Sequence, residues 1–358
     1  MKATFDNEIY FNWRNIDGYN KDINIAISPR EPGKTTSFWI TKAYPAWKKE
    51  KRPVVYLVRY ANEISNELID SIFDGVINKF KEDEKPIYKQ NFKDGILDVF
   101  LLDNKEKYLA IRVISLNCKL RKLKQQVVPN IKYMFMDEYI INPKAQEDYL
   151  KSEAMKIKEL YTTLKRGSPD GRLRFYVAGN PYSLYNPLFL DLGVDTSKLK
   201  RGETYSKDNY VIEWATLHPK LREKLLKENP FYQFDENYSN YALDGMAIND
   251  ISIPVGDLPP NYQLKYLFKI AEKFIGIYKE NGNFDINDFR FFAKEEKIIS
   301  KYRSVYVIDL EEMITNSILI SSEERYYMNR LKEAIAKRNV LFESINVYYL
   351  MMEVFKAL

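Results

Sequence analysis

An α/β fold on a mostly parallel sheet is predicted for residues 1–195, and three observations carry the prediction. Short apolar, β-rich runs alternate with amphipathic helical stretches. The first run leads through a Gly-Lys-Thr turn into helical periodicity, and a later run ends in two adjacent carboxylates. The pattern changes to a polar, Asn- and Tyr-rich composition over 196–250 and to α+β from 251 to 358, so three regions with those bounds are expected.

The elements read in order. Ile23–Ser28 (INIAIS) is a strand, and Thr35–Glu50 a helix with a lysine-rich end before Pro53. Val54–Tyr60 reads as a buried strand, and a helix follows with Ile64, Leu68, Ile72 and Val76 on one face. Ile96–Leu102, Tyr108–Leu116 and Ile131–Met136 are further strands. A helix then sets Leu150, Ala154, Ile157, Tyr161 and Leu164 on one side, and Leu173–Gly179 closes the unit. The 196–250 stretch is read as a linker with one helix, Leu221–Glu228, ended by Pro230. Beyond it, Phe274–Lys279, Phe289–Ala293 and Val305–Asp309 are strand candidates, with helices at Glu323–Lys337 and Glu343–Ala357.

Composition narrows the chemistry. The chain has 358 residues, long enough for two cores, and its 45% apolar and 15% aromatic content suits a globular protein. No run approaches the roughly 20 apolar residues of a membrane span, and MKATFDNEIYFNWR has no apolar signal core, so a cytosolic protein is expected. Cys118 and His218 are the only residues of their kinds, which excludes an intramolecular disulfide and a thiolate zinc site. His218 reads as an ordinary polar position. The net charge of +5 is compatible with nucleic acid without requiring it.

SPREPGKTT, formed by Ser28, Pro29, Arg30, Glu31, Pro32, Gly33, Lys34, Thr35 and Thr36, fits the end of a phosphate-binding loop. Ser28 stands where the first glycine usually sits. A strand leading in and a helix leading out aim backbone N–H groups and the helix dipole at an anion. Lys34 is expected to neutralise the β- and γ-phosphates of ATP, and the Thr35 hydroxyl to bind Mg²⁺. YMFMDE then ends an apolar run in Asp137, expected to hold Mg²⁺ through water, and Glu138, expected to polarise the attacking water. The competing readings are a surface turn and a solvated strand end; both motifs arising by coincidence is much rarer.

Asn180, in AGNP, is a candidate γ-phosphate sensor or else a turn initiator. Arg166, in TLKRG, either reaches a neighbouring subunit's ATP or caps its own helix. The basic run KLRKLK, with Lys119, Arg121, Lys122 and Lys124, offers contacts for a DNA backbone. Arg59 is a further candidate for an interface or the DNA path. Tyr10, Trp13 and Tyr19 could stack on adenine, with core packing the commoner fate.

The GKT loop, VVYLVRYANE, PNIKYMFMDEYI (Pro129 to Ile140) and the AGN…YNPLF segment together resemble the DNA-packaging ATPases, or encapsidation proteins, of phi29-like bacteriophages over most of the chain. The resemblance implies a P-loop ATPase of the additional-strand class, RecA/FtsK-HerA-like, with a helical linker and a C-terminal domain resembling a vestigial RNase H-type nuclease. It also implies a homopentameric ring in the host cytoplasm, attached transiently to the portal (connector) of an empty prohead and absent from the mature virion. That ring would use ATP and Mg²⁺ to drive double-stranded DNA inside. The family's trans-acting finger falls on Arg166, with Lys165 or Arg172 as alternatives. Whether a structural packaging RNA joins is left open. Asp309, with Glu311 and Glu312, makes a poor set for two-metal cleavage. Ala61 replaces the basic residue the family carries after RY. A conjugative or chromosomal DNA translocase, a terminase-like large subunit with nuclease activity and a non-hydrolysing scaffold are the alternatives.

Overall fold

A computed structural model describes residues 9–77, 88–93, 95–103, 106–123, 127–142, 149–184, 186–235, 238–239, 242–243, 253–270, 273–281, 290–297, 304–307, 313–320, 322–337 and 339–357. The chain forms two units, Met1–Ile248 and Asn249–Leu358.

The first unit is organised by β1 (Ile23–Ile27), β2 (Val54–Val58), β3 (Tyr88–Lys93), β4 (Ile96–Asp103), β5 (Glu106–Ser115), β6 (Tyr133–Met136), β7 (Arg174–Gly179), β8 (Thr204–Lys207) and β9 (Tyr210–Trp214). They make one sheet in the order β3-β4-β5-β2-β6-β7-β1-β9-β8. The run from β5 to β9 is parallel throughout, and β3, β4 and β8 add antiparallel edges. The central strands are apolar on both faces, as a sheet covered by helices on both sides requires.

One face is aromatic. Phe38 stacks on Phe135 with ring centroids 4.0 Å apart, and Trp13, Trp39, Trp47, Tyr56, Phe73 and Tyr176 fill the same layer. The opposite face is largely aliphatic, where Ile157, Leu160 and Leu164 of the helix Glu153–Lys165 meet Met134, Met136 and Val177. The single helix expected over 35–50 is instead Lys34–Phe38, a wider π-type turn at Trp39–Ala43, and Tyr44–Glu50. Pro45 explains the break: without an N–H it cannot bond the carbonyl of Thr41, and the wider turn absorbs the mismatch.

The region expected to be a linker from 196 needs correction. β9 pairs with β1 from Ile23↔Tyr210 to Ile27↔Trp214, so this stretch completes the first sheet. The helical part starts later, with Pro219–Glu228 and Pro230–Phe234. Pro230 opens the second of these helices, because the first helical position needs no N–H. Leu217, Leu221, Leu225, Tyr232, Ala242 and Leu243 form their core, with Tyr10 and Tyr182 packed against it.

The second unit holds β10 (Tyr262–Ile270), β11 (Lys273–Glu280), β12 (Phe291–Glu295), β13 (Val305–Val307), β14 (Ser317–Leu319) and β15 (Val340–Phe342) in the order β14-β13-β10-β11-β12-β15. β10, β11 and β12 are an antiparallel meander, β13 runs parallel to β10, and β14 parallel to β13. That is the strand order of an RNase H-type sheet. No carboxylate lies within β10. Asp309, Glu311 and Glu312 fall outside the described residues. Among the described residues no helix is long and apolar enough to cross a membrane.

Candidate nucleotide site

β1 ends at Ile27, and the chain turns through Ser28–Gly33 into the helix that starts at Lys34. Gly33 supplies the turn: its φ of 82° and ψ of 29° lie in the left-handed region, where a side chain costs energy. Beneath the loop, the buried Trp13 donates its indole N–H to the carbonyl of Lys34 at 2.8 Å, and the Phe11 N–H reaches the carbonyl of Pro32 at 2.8 Å. Of the candidate adenine-stacking residues, Trp13 is therefore core and Tyr10 packs on the helical segment, while Tyr19 is exposed.

The loop closes on its own lysine. Lys34 Nζ donates to the Ser28 carbonyl at 3.2 Å, Ser28 Oγ at 2.8 Å, the Pro29 carbonyl at 3.0 Å and Asn180 Oδ1 at 3.1 Å. Burial lowers the Lys34 pKa to about 8, against the pull of Asp137 and Glu138. Ser28 is thus an acceptor for the lysine, a role the loop pattern alone does not signal.

Asp137 leaves β6 beside this lysine and accepts the Thr35 hydroxyl hydrogen. Burial raises its pKa, opposed by the Thr35 hydrogen bond and the Lys34 charge. A hydroxyl and a carboxylate in contact are hard oxygen donors, and Mg²⁺ binds through one or two such groups, the remainder being water and phosphate. Among the described residues no group of three or more His, Cys, Asp or Glu gathers, so a cation here would rest on Thr35 and Asp137 in that way. Glu138 follows at a φ of 48° with its side chain exposed, and its N–H donates to Asp137 Oδ1 at 2.9 Å.

The strand order explains the convergence. β7, carrying Asn180 just past its end, lies between β1 and β6, so the loop, Asn180 and the paired acids emerge at one edge of the sheet. An extra strand between the loop strand and the acid strand is the arrangement the sequence led us to expect. Over it, the Arg30 N–H donates to the carbonyl of Ala242 at 3.0 Å, the Arg30 guanidinium donates to Tyr182 Oη at 2.6 Å, and the Tyr232 hydroxyl donates to Glu31 Oε1 at 3.0 Å. The helical segment is therefore clamped on the loop, which its distance in sequence concealed.

Comparison with known proteins gives the family and the fold. The family model described as "Podovirus DNA encapsidation protein (Gp16)" matches residues 5–358. This chain belongs to that family. Two solved structures are similar over nearly all of both chains: the Phi-28 gp11 DNA packaging motor (TM-score 0.64, 17% identity, covering 98% of each chain) and the bacteriophage Phi-29 genome packaging motor assembly (TM-score 0.63, 17% identity, covering 98% of this chain and 99% of the other). No curated protein matches.

The chain places its other candidates away from the loop. The helix Glu153–Lys165 runs back from the acid strand toward the start of β7, so Arg166, its exposed C-cap, lies at the sheet edge opposite the nucleotide site. Arg52, just before β2, anchors that corner through the carbonyl of Ile131 at 2.7 Å and Asp170 at 3.5 Å. Lys165 pairs with Asp22 at 3.5 Å, and Arg172 is exposed in the same corner. Lys119, Arg121 and Lys122 are exposed around the short helix Leu120–Leu123, beyond the end of β5, while Lys124 lies outside the described residues. His218 N-caps the helix Pro219–Glu228, accepting from the Lys220 N–H at 3.2 Å.

Arg59 requires correction. Expected at an interface or along the DNA path, it is buried and ion-paired with the buried Glu153, whose carboxylate consumes its charge locally. Nothing in VVYLVRY signals this, because the partner lies ninety-four positions away.

Proposed function

We propose that this viral encapsidation protein hydrolyses ATP with Mg²⁺ and uses the energy to move double-stranded DNA through a portal into a prohead. The observation that carries this reading is the convergence at one sheet edge of two hydrogen-bonded pairs, Lys34 with Asn180 and Thr35 with Asp137, the Lys34 and Asp137 charges acting on each other. When bound, Mg²⁺ would neutralise charge on the β- and γ-phosphates. Lys34 would exchange its loop oxygens for phosphate oxygens, Thr35 and Asp137 would hold the ion, and Asn180 would follow the γ-phosphate. Glu138 would orient water and accept its proton. The loop residues Pro29, Arg30, Glu31, Pro32, Gly33 and Thr36 would surround the phosphates.

Arg166, remote from its own loop, suits a neighbour's site, which is in keeping with a closed ring; five copies is the number the family resemblance implies. Attachment of that ring to the portal would be transient and cytoplasmic. Lys119, Arg121 and Lys122, with Lys124, are the proposed DNA contacts, and the second unit is proposed as a docking module without nuclease activity. The deciding experiment measures ATP turnover and prohead packaging with Lys34→Ala and Glu138→Gln. Loss of both activities in both variants is expected; unchanged turnover in either would remove that residue from the mechanism.

A further inference from the structure

We infer that Arg59 and Glu153 form a positioning device that sets the direction of Glu138 and fastens it to the helix carrying Arg166; this rests on Glu138 being the water-orienting base.

The geometry is specific. Arg59 Nε donates to Glu153 Oε2 at 3.0 Å, and Nη2 donates both to Glu153 Oε1 at 3.1 Å and to the carbonyl of Tyr139 at 2.6 Å. One guanidinium therefore grips the residue directly after Glu138 and the first residue of the helix Glu153–Lys165. Glu153 Oε2 also accepts the Leu150 N–H at 2.8 Å, and the Arg59 guanidinium lies 5.3 Å from the Tyr149 ring centroid. Both ends of the excursion that leaves the acid strand are thus tied to the end of β2.

The pinning falls where the backbone is least free. Glu138 occupies the left-handed region, which non-glycine residues adopt only when their surroundings impose it. Its own N–H donates to Asp137 Oδ1 at 2.9 Å, and its neighbour adds two backbone bonds: the Tyr139 N–H to the Ala178 carbonyl at 3.0 Å, and the Tyr139 carbonyl to Arg59. Releasing the bond to Arg59 loosens the Tyr139–Ile140 peptide, one step beyond the backbone that aims the carboxylate, and so weakens the hold on that turn. Arg59 does not touch the loop lysine in any bond described above, so nucleotide affinity has no reason to follow it.

A fixed fork is essential to this role. Arginine donates to two acceptors in one plane, whereas lysine offers a point charge that can keep the ion pair and lose the Tyr139 carbonyl. Misplacing a catalytic group by about an ångström costs on the order of a hundredfold in rate.

The test compares Arg59→Lys and the double variant Arg59→Met with Glu153→Leu, which leaves no lone buried charge, against Glu138→Gln. Melting, affinity for an ATP analogue and steady-state kcat are measured for each. The expected result is a folded protein with unchanged affinity and kcat lower by about ten- to a hundredfold. Full kcat in either folded variant overturns the inference, as does a fall in affinity matching the fall in kcat, or failure of both variants to fold. Should Glu138→Gln itself keep wild-type turnover, the underlying assignment of the base has failed instead.

Discussion

Lys34 Nζ and Asn180 Oδ1 lie 3.1 Å apart, joining the loop after β1 to the residue after β7. The contact occupies an amine that phosphate would claim, and it leaves the Asn180 carbonyl oxygen without that donor once phosphate arrives. Nucleotide binding at the proposed site would therefore alter the end of the central inserted strand directly. The consequences below follow from how this group is charged and packed.

ATP binding should take up a proton at alkaline pH. Burial holds the free Lys34 at about 8, below the ordinary 10.5, and a bound triphosphate restores the charge. Calorimetry in buffers of differing ionisation enthalpy should find uptake approaching one proton near about pH 9 and little near about pH 7. The folding linkage has the opposite sense to a stabilised lysine: between about 8 and 10.5 the unfolded chain binds the extra proton, so the Lys34 contribution to stability rises with pH there. Absence of uptake at the higher pH would show that the free lysine is not depressed.

Ser28→Gly should tighten ATP binding while weakening the free protein. The hydroxyl accepts from Lys34 at 2.8 Å, and such charge-assisted bonds contribute about 1.5–3 kcal/mol. Losing one of several competing acceptors should lower melting stability by about 1–2 kcal/mol and improve affinity severalfold. Weaker ATP binding would mean that Ser28 contacts phosphate itself.

The fold was legible where burial and chemistry coincide. β2 and β6 are apolar runs on both faces, β1 and β7 nearly so apart from Asn24 and Arg174, and Asp137–Glu138 stands out because carboxylates rarely end such a run by accident. β8 was hidden for the opposite reason: Thr204–Lys207 is an edge strand with polar, exposed residues, which read as linker. β10 begins in polar alternation, YQLK, and was likewise missed. Ser28 and Glu153 owe their roles to tertiary partners, which no local spacing reveals.

Glu213→Gln should stabilise the protein above neutrality. One carboxylate oxygen of Glu213 is buried without a hydrogen-bond partner, and burial raises its pKa to about 7. Between about 4.5 and 7 the folded state holds more protons than the unfolded one, so stability falls as pH rises through that window. The amide variant should melt higher by about 1–3 kcal/mol at about pH 8, with little difference near about pH 4. Equal melting at both values would mean the carboxylate is solvated.

Mixing experiments should reveal the direction of the subunit contact. Arg166→Ala subunits keep an intact nucleotide site, and Glu138→Gln subunits keep an intact arginine, so mixtures of two inactive proteins should regain part of the ATPase activity. A finger worth about 10³–10⁵ in rate leaves ample range for detection. No recovery at any ratio would place the arginine's role in its own chain.

The opposite placement of Arg166 and Lys34 at the two edges of one sheet gives each chain a head and a tail. If Arg166 serves a neighbour's site as proposed, chains joined head to tail would make a heterologous contact, leaving an unfilled site at one end of any open row and an unused arginine at the other. Only closure removes both. Idle hydrolysis by incomplete assemblies would then be held down by geometry alone, before any DNA is engaged.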